Sequence, residues 1–329
     1  MLKRANELAC LGLGSTGSNP IVGAVVVGID GAIIGEGFHK SGPHAEVVAL
    51  EQAGQLAKGA TLFVTLEPCN HQGQTGPCTE AIIKAGIAKV VYAVRDPNPL
   101  ASGGAKALEA AGMEVVFNSD VSEIPYSNRA WLHKVETNRP YFIWKIATTL
   151  DGRTAAIDGS SKWITGEESR AEVSKLRSES SAILIGTATA LADNPNLIPR
   201  DQEITNQSNP VRIVMGLREI PSEFNLHNDA AETVFLRTHD FAELLKLCAE
   251  RDFNQVFVES GSELGTALLK SGFIDELVIF QAASLLGSGQ SFIGDLGATK
   301  ISEKMDFAIR AVAQFGNDLK ITLTKETGI

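Results

Sequence analysis

Hydrophobic and polar positions follow two different periods along this chain, and segments of the two kinds alternate. Residues 2–11 place apolar side chains at the spacing of an amphipathic helix. Residues 22–28 and 32–37 are β-rich runs that flank Asp30 and Gly31, a pair that favours a type I′ hairpin turn. The pattern then predicts strands at 61–67, 89–94 and 114–117 and helices at 45–54, 78–86 and 105–112. This alternation indicates an α/β/α domain with a largely parallel sheet.

The pattern loosens over residues 118–140, where Asn138, Arg139 and Pro140 interrupt it. A chain of 329 residues exceeds one ordinary hydrophobic core, so we predict two domains, 1–138 and 139–329. In the second domain we predict a strand from 141, further strands at 182–187, 211–216, 232–237, 255–261, 276–283 and 320–325, and helices at 167–180, 241–252 and 263–272. Both domains are therefore expected to be α/β.

Composition narrows the classes of protein that this pattern allows. Hydrophobic residues make up 44% and charged residues 21% of the chain, a balance typical of globular proteins. A net charge of −10 argues against nucleic acid or an anionic membrane as the main partner. Four cysteines do not make a disulfide scaffold, and neither a signal peptide nor a membrane-spanning apolar run is visible. We expect a cytoplasmic protein.

One short stretch carries a distinct chemical pattern, a histidine followed by two cysteines. His44, Cys69 and Cys78 offer one imidazole and two thiols, and zinc with three protein ligands keeps a fourth position open for water, as in catalytic sites. Glu46 follows two residues after His44, where it is better placed to carry protons than to bind the metal. The set predicts hydrolytic deamination of an amino-heterocycle. The alternative is a structural zinc site, or two buried cysteines and a core histidine.

The motifs HAE (44–46), EPC (67–69) and GPC (76–78) resemble those of the cytidine-deaminase-like superfamily. Eight residues separate the two cysteines, which is longer than the two that are frequent in the superfamily. With SNPIVGAVV (18–26) and DPNP (96–99), this spacing resembles the deaminase half of the bifunctional riboflavin-biosynthesis deaminase/reductase family. The first domain is thus expected to be cytidine-deaminase-like.

The resemblance implies roles for six residues of the first domain. They are the zinc ligands His44, Cys69 and Cys78, the proton donor Glu46, and the substrate-binding residues Asn19 and His71. Many members of the family carry Lys or Arg where this chain has Gln74, and a cation there would suit a substrate phosphate. Ser18 stands where proline is common, and Ala105 where glycine is usual.

Four stretches of the second half resemble the reductase half of the same family, a dihydrofolate-reductase-like α/β domain. They are KIATTLDGRTAA (145–156), SKWITG (161–166), LADNPNL (191–197) and VESGSELGTALL (258–269). Taken alone, the turn at Gly261 has two interpretations. It could bind a phosphate on the amides at the start of the following helix, or it could simply connect a strand to a helix. Lys145 in an apolar strand needs a partner or a cleft unless it lies on an edge strand.

This second resemblance implies NADPH-dependent reduction of a ribosyl chain to ribityl. The cofactor side comprises Ala147, Trp163, Thr189, Asp193, Gly261, Ser262, Glu263, Leu264, Gly265, Thr266 and Ala267. The substrate side comprises Ser161, Arg177, Leu197, Arg200 and Glu259, with the two arginines as phosphate clamps. Lys145 and Asp151 match the family's motif without an assigned step, and Gly216 replaces a common aspartate.

We therefore expect a bifunctional enzyme that uses Zn2+ and NADPH on a small pyrimidine nucleotide, with no nucleic acid or membrane partner. We expect it to form a homo-oligomer, either a dimer or a tetramer. The alternatives are a deaminase of another nucleobase or nucleoside with a degenerate second domain, and a ligand-binding or structural protein with a vestigial site. We assign no function to the residues Cys10, Cys248, His39, His133, His227 and His239, and expect both cysteines in the core.

Overall fold

The chain divides into two compact units, Met1–Arg139 and Pro140–Ile329. The computed structural model describes residues 1–40, 42–71, 76–99, 101–200 and 209–325. Within these ranges, none of the helices has the length and apolar character needed to cross a membrane. Gln74, expected near a substrate phosphate, lies outside the described residues.

The first unit is built on a five-stranded sheet in the order β2-β1-β3-β4-β5. Its elements are α1 (Leu2–Cys10), β1 (Gly23–Val27), β2 (Ile33–Phe38), α2 (Ala45–Ala53), a 3-10 turn (Gly54–Ala57), β3 (Thr61–Leu66), α3 (Cys78–Ala85), β4 (Lys89–Val94), α4 (Gly104–Ala110), β5 (Glu114–Phe117), α5 (Glu123–Ser127) and α6 (Arg129–Thr137). Every strand and helix predicted up to residue 117 is present. Helices α5 and α6 occupy the stretch whose pattern loosens.

The predicted parallel arrangement holds for β3, β4 and β5 but not for the whole sheet. Strand β1 pairs antiparallel with both β2 and β3, whereas β3-β4 and β4-β5 are parallel. The reason lies in the connections, because a short turn joins only antiparallel strands and a helical crossover joins parallel ones. Cys69, a predicted metal ligand that follows β3, therefore lies at the carboxyl edge of the parallel part of the sheet.

The prediction of a type I′ turn between β1 and β2 is wrong. The Gly31 amide donates to the Gly28 carbonyl (2.9 Å) and the Gly28 amide to the Ala32 carbonyl (2.8 Å). Gly31 has a φ of 83°, but Asp30 is outside the left-handed region, whereas type I′ needs positive φ at both central residues. Asp30 instead accepts the Ala32 amide with its side chain (3.1 Å), which stabilises the longer turn.

Helix α2 packs directly on strand β2 because two strand positions have no side chain. A Cβ atom at Gly37 would lie 2.3 Å from the Ala45 carbonyl oxygen, and one at Gly35 would lie 2.1 Å from the Ala49 carbonyl oxygen. Such distances exclude any side chain without movement of the helix. The close packing sets the position of the first turn of α2, which carries Glu46.

The second unit contains an eight-stranded sheet in the order β10-β9-β8-β11-β6-β12-β15-β14. The strands of this sheet are β6 (Tyr141–Thr148), β8 (Ala182–Gly186), β9 (Val211–Met215), β10 (Thr233–Leu236), β11 (Gln255–Val258), β12 (Ile274–Ala282), β14 (Phe307–Phe315) and β15 (Asp318–Lys325). Two short strands of the unit, β7 (Arg153–Ala155) and β13 (Gln290–Ser291), pair with each other in a separate sheet. The helices of the unit are α7 (Glu167–Ser178), α8 (Thr187–Asp193), α9 (Phe241–Glu250), α10 (Ser262–Lys270) and two 3-10 turns (Asn225–His227 and Ile301–Glu303).

Six strands of this sheet, from β10 to β12, are parallel, and β15 and β14 continue it antiparallel. The central strands are buried on both faces, as at the consecutive positions Phe142 and Ile143 and at 183–184, which is why they read as continuous apolar runs. The predictions missed α8, β14 and the short strands β7 and β13. Strand β14 is largely exposed on both faces, so it lacks the alternation that marks a half-buried strand.

Candidate functional site

The predicted zinc ligands of the first unit converge from three elements. His44 precedes α2, Cys69 follows β3, and Cys78 is the first residue of α3. His44 Nδ1 lies 3.2 Å from Cys78 Sγ and 3.5 Å from Cys69 Sγ, and all three ligand atoms lie within 4.8 Å of one another. One imidazole and two thiols at this spacing fit a tetrahedral zinc ion with one open position.

The two thiols of this cluster differ in acidity. The pKa of Cys69 is lowered to about 4, because its sulfur accepts a hydrogen bond from the Cys78 thiol, and the His44 ring adds to the effect. The Cys78 amide also donates to Cys69 Sγ (3.4 Å). The same thiol–thiolate bond and burial raise the pKa of Cys78. The cluster therefore contains a thiolate at neutral pH, the form that binds metal.

Glu46 is buried beside this cluster, with 3% of its surface exposed. Burial raises the pKa of its carboxyl group, and the Cys69 charge adds to that rise. A carboxyl group whose pKa is raised holds its proton more readily than a free carboxyl group, which suits a group that both accepts and donates protons. The place of Glu46 in the first turn of α2 keeps it out of the group of metal ligands.

Glu67 is a residue of this site that the sequence analysis missed. Its buried carboxylate accepts the amides of Gly103 (3.2 Å), Ala105 (3.0 Å) and Asp96 (3.4 Å). It thereby ties the segment after β4 to the turn that carries Cys69, two residues further on. The only signal in the sequence was the glutamate of EPC, whose partners lie 29 to 38 residues away.

Gly104 makes the same connection by close packing. A Cβ atom there would lie 1.7 Å from the Pro68 carbonyl oxygen.

His39, to which we assigned no function, is buried with its ring 5.5 Å from that of His44. Its Nδ1 lies 3.3 Å from the Pro43 carbonyl oxygen, so it supports the backbone just before the metal ligand.

The two predicted substrate residues of the first unit are on its surface. Asn19 lies in an exposed turn, where its backbone amide donates to the Thr16 carbonyl (3.1 Å). His71 is exposed two residues after Cys69, and its charge acts on Asp96. Burial raises the pKa of Asp96, which lies close enough to Cys69 to interact electrostatically.

In the second unit, Arg177, Lys145 and Arg200 lie close to Glu259 at the end of β11, and Asp193 lies close to Lys145. Arg177 from α7 donates two hydrogen bonds to the Glu259 carboxylate (2.5 and 2.8 Å). Burial acts to raise the pKa of Glu259, but Arg177, Lys145 and Arg200 lower it overall. Burial also lowers the pKa of Lys145, while the charges of Glu259 and Asp193 oppose that shift. Lys145 lies on β6, in the interior of the sheet, so the edge-strand interpretation is wrong.

The two arginines expected to clamp a phosphate differ in their surroundings. The guanidinium of Arg177 is occupied by Glu259 and also donates to the Ile198 carbonyl (3.4 Å). Arg200 is exposed, and its guanidinium carbon lies 5.9 Å from the centre of the Trp163 ring. Trp163 is 64% exposed, so it is a surface ring rather than a core residue. Arg200 and Trp163 together offer a cation and a stacking face to a ligand.

Of the predicted cofactor residues, Thr189 and 261–267 lie where α8 and α10 begin, near the carboxyl ends of β8 and β11. The Gly261 amide donates to Thr189 Oγ1 (3.2 Å). A Cβ atom at Gly265 would lie 2.1 Å from the Trp144 ring, so α10 packs directly on β6. This arrangement presents backbone amides of a nine-residue helix at the edge of the sheet, which suits the diphosphate of a nicotinamide dinucleotide.

Three further predicted positions have clear local settings. Leu197 is buried in a left-handed conformation (φ 53°), Ser161 is half-buried, and Ala147 lies near the end of β6. Gly216, in place of the common aspartate, has a φ of 135°, and a Cβ atom there would lie 2.6 Å from Thr187 Oγ1. An aspartate would be strained in this conformation.

Comparisons with known proteins agree over nearly the whole chain. The family model of the RibD C-terminal domain matches residues 140–321, and that of the cytidine and deoxycytidylate deaminase zinc-binding region matches residues 1–94. Riboflavin biosynthesis protein RibD of Mycobacterium tuberculosis is 43% identical, over 94% of this chain and 92% of that protein. The Escherichia coli protein of the same name is 37% identical, over 98% of both.

Two solved structures are similar in fold and sequence. RibD of Acinetobacter baumannii has a TM-score of 0.89 at 36% identity and covers 98% of this chain and 97% of its own. A diaminohydroxyphosphoribosylaminopyrimidine deaminase/5-amino-6-(5-phosphoribosylamino)uracil reductase of Thermotoga maritima has a TM-score of 0.88 at 35% identity with the same coverage.

Proposed function

The chain belongs to the bifunctional deaminase/reductase family of riboflavin biosynthesis, and on that basis we propose which of its residues carry the two reactions. It is a zinc-dependent deaminase and an NADPH-dependent reductase. The proposed first substrate is 2,5-diamino-6-ribosylamino-4(3H)-pyrimidinone 5′-phosphate, because the Thermotoga relative is named for this chemistry. The second reaction would reduce the ribosyl chain of the deaminated product to ribityl.

The observation that carries the first assignment is the cluster of His44, Cys69 and Cys78 with buried Glu46 beside it. The three ligands would hold the zinc ion, which supplies a water molecule of lowered pKa. Glu46 takes a proton from the attacking water and delivers it to the departing ammonia. Burial raises the pKa of its carboxyl group, which favours the protonated form that the second step needs.

In the second unit, the proposed substrate side comprises the group around Glu259 together with Ser161 and Leu197. Arg177 keeps the Glu259 carboxylate ionised and oriented, and Lys145 releases a proton more readily than a free lysine because burial lowers its pKa. Arg200 binds the substrate phosphate. The start of α10 with Ala147, Trp163, Thr189 and Asp193 is the proposed cofactor side; bound NADPH supplies the hydride.

The test supplies the diaminopyrimidine nucleotide and NADPH to purified protein and follows ammonia release and NADPH absorbance. We expect Glu46→Gln to slow ammonia release by about 100-fold or more, while the variant still oxidises NADPH with substrate that is already deaminated. Glu51→Gln, on the exposed side of the same helix, is the matched control. Simultaneous loss of both reactions in Glu46→Gln would contradict two separate sites, and a wild-type protein without either reaction would refute the assignment.

We also propose that the chain forms a homo-oligomer through β14, the terminal strand of the large sheet. This strand is nine residues long, and its side chains include Ile309 (70% exposed) and Val312 (56% exposed). Its outer edge offers backbone amides and carbonyls to a further strand. The occupant that we propose is β14 of a second copy in antiparallel orientation, because such a contact is self-complementary.

A reducing, cytoplasmic location is proposed as well, since it suits thiolate ligands.

A further inference from the structure

Two segments of the second unit meet beyond the ends of neighbouring strands β6 and β12. The first is the turn 149–153, and the second is the segment 284–294. Asp151, in the first, accepts the backbone amides of Leu286 (3.0 Å) and Gly287 (2.7 Å) in the second. Its carboxylate also accepts the Thr149 hydroxyl (2.7 Å). Two consecutive amides around one carboxylate make a compact anion-binding contact between the two segments.

Other hydrogen bonds continue this contact along both segments. The Leu150 amide donates to the Ser284 carbonyl (2.8 Å) and the Phe292 amide to the Gly152 carbonyl (3.1 Å). The Arg153 guanidinium donates to the Gly289 carbonyl (3.2 Å), and β7 pairs with β13. Asp151 and Arg153 are the charged side chains of this contact, and Arg153 Nε lies 3.9 Å from Asp151 Oδ2.

The segment 284–294 then reaches the beginning of α10. The Gln290 side-chain amide donates to Ser262 Oγ (3.0 Å), and the Gly294 backbone amide donates to Thr266 Oγ1 (2.8 Å). Ser262 and Thr266 belong to the proposed cofactor side. The segment therefore connects Asp151 at one end with two cofactor-side residues at the other.

We propose that Asp151 is a positioning residue of the reductase: its carboxylate holds the segment 284–294 against α10 and so sets the geometry of the NADPH site. The inference rests on the proposed reductase site and assigns a role to a residue that contacts neither Glu259 nor the residues around it in the hydrogen-bond network. Hydrogen bonds to an ionised acceptor are the strong ones. The three donors lower the pKa of Asp151 to about 2, so the contact persists over the working pH range.

The first test is Asp151→Asn in the full chain, with NADPH and deaminated substrate. An amide side chain accepts at one oxygen only, so at least one of the three hydrogen bonds is lost. We expect the KM for NADPH to rise about tenfold with reductase kcat changed less than about twofold. Deaminase kinetics of the same preparation should not change, which controls for folding and concentration. Asp295→Asn is the matched control, because its carboxylate accepts the Gly297 amide within its own turn.

The second test removes a donor instead of the acceptor. Leu286→Pro lacks the backbone N–H, whereas Leu286→Ala keeps it, so only the proline variant should raise the KM for NADPH. The double variant Asp151→Asn/Leu286→Pro should raise the KM for NADPH by less than the product of the two single increases. The reason is that both substitutions break the same contact.

The outcomes separate this inference from the assigned function. A wild-type chain that does not oxidise NADPH would refute the proposed reductase site itself. An active wild-type chain whose Asp151→Asn variant keeps its KM for NADPH would overturn the positioning role. A variant with a lower unfolding temperature but an unchanged KM would also overturn it, since Asp151 would then be structural only.

Discussion

Cys69 and Cys248 show how far the surroundings set the chemistry of a single side chain. The Cys69 thiol has its pKa lowered to about 4 by its hydrogen bond with Cys78. Burial in the core of the second unit raises the pKa of Cys248 to about 12, and only 1% of its surface is exposed. Since thiolates rather than thiols react with alkylating agents, the two residues should differ strongly in reactivity.

We predict that chelation of zinc exposes Cys69 to iodoacetamide at about pH 6 while Cys248 stays unmodified. Zinc added before the reagent should protect Cys69, because a coordinated thiolate is not free to react. Peptide mass spectrometry measures both sites in one sample. Modification of Cys248 at a rate similar to that of Cys69 would contradict the acidities derived from the structure.

The ion pair of Arg177 and Glu259 carries a pH-dependent contribution to stability. The folded pKa of Glu259 lies below its usual value of 4.5, so the contribution is complete above about pH 4.5 and is lost as the pH falls through the lower, folded value. Glu259→Gln leaves Arg177 unpaired with little exposed surface, and we expect it to cost about 3 kcal/mol near neutral pH.

Thermal unfolding of wild type and Glu259→Gln as a function of pH measures this contribution. The two unfolding temperatures should differ most at neutral pH and approach each other in acid. Glu232→Gln, which breaks an exposed pair with Arg251, is the control and should change stability by less than about 1 kcal/mol. A difference that stays constant down to acid pH would contradict the linkage.

At the scale of elements, glycines decide how closely helices approach strands at both sites. Gly35 and Gly37 allow α2 to lie on β2, Gly104 allows α4 to begin against Pro68, and Gly265 allows α10 to lie on Trp144. In each case the helix carries or supports a functional group. Replacing any of these glycines by alanine should therefore affect activity as well as stability.

We predict that Gly265→Ala destabilises the second unit by about 2 kcal/mol and impairs NADPH oxidation, because the new methyl group displaces the start of α10. Ammonia release should persist, since Gly265 lies outside the first unit. Gly166→Ala is the control, as a Cβ atom there would lie 3.5 Å from its nearest neighbour, Asp318. Unchanged reductase kinetics in Gly265→Ala would contradict the packing argument.

At the scale of the whole molecule, each unit has a hydrophobic core of its own, and each holds one set of reactive groups. The zinc ligands and Glu46 lie in the first unit, and the residues around Glu259 lie in the second. The surface outside these sites contributes one further feature, the exposed strand β14.

We predict that Val312→Asp lowers the molecular mass measured by light scattering or sedimentation from that of an oligomer toward that of one chain. A charge on an edge strand disfavours the addition of another strand. Ile301→Asp, at an exposed position outside β14 (85%), should leave the mass unchanged. A wild-type protein that is monomeric, or a Val312→Asp variant of unchanged mass, would contradict assembly through β14.

The sequence by itself determined the order of the main strands and helices, the trio of His44, Cys69 and Cys78, and the separate position of Glu46. These features are local, since they depend on the period of apolar residues, on turn residues and on motif spacing. The resemblance to a known family likewise rested on short motifs, and it led to the family that the comparisons show.

Only the tertiary structure decided the antiparallel pairing of β1 with β3, the occupation of Arg177 by Glu259, and the partners of Glu67 and Asp151. These contacts join residues far apart in the chain, up to 136 positions for Asp151 and Gly287. Their approach depends on which strands become neighbours, and hydrophobic periodicity does not specify strand order. The same physical limit hid β14, because an edge strand exposed on both faces has no alternating pattern to detect.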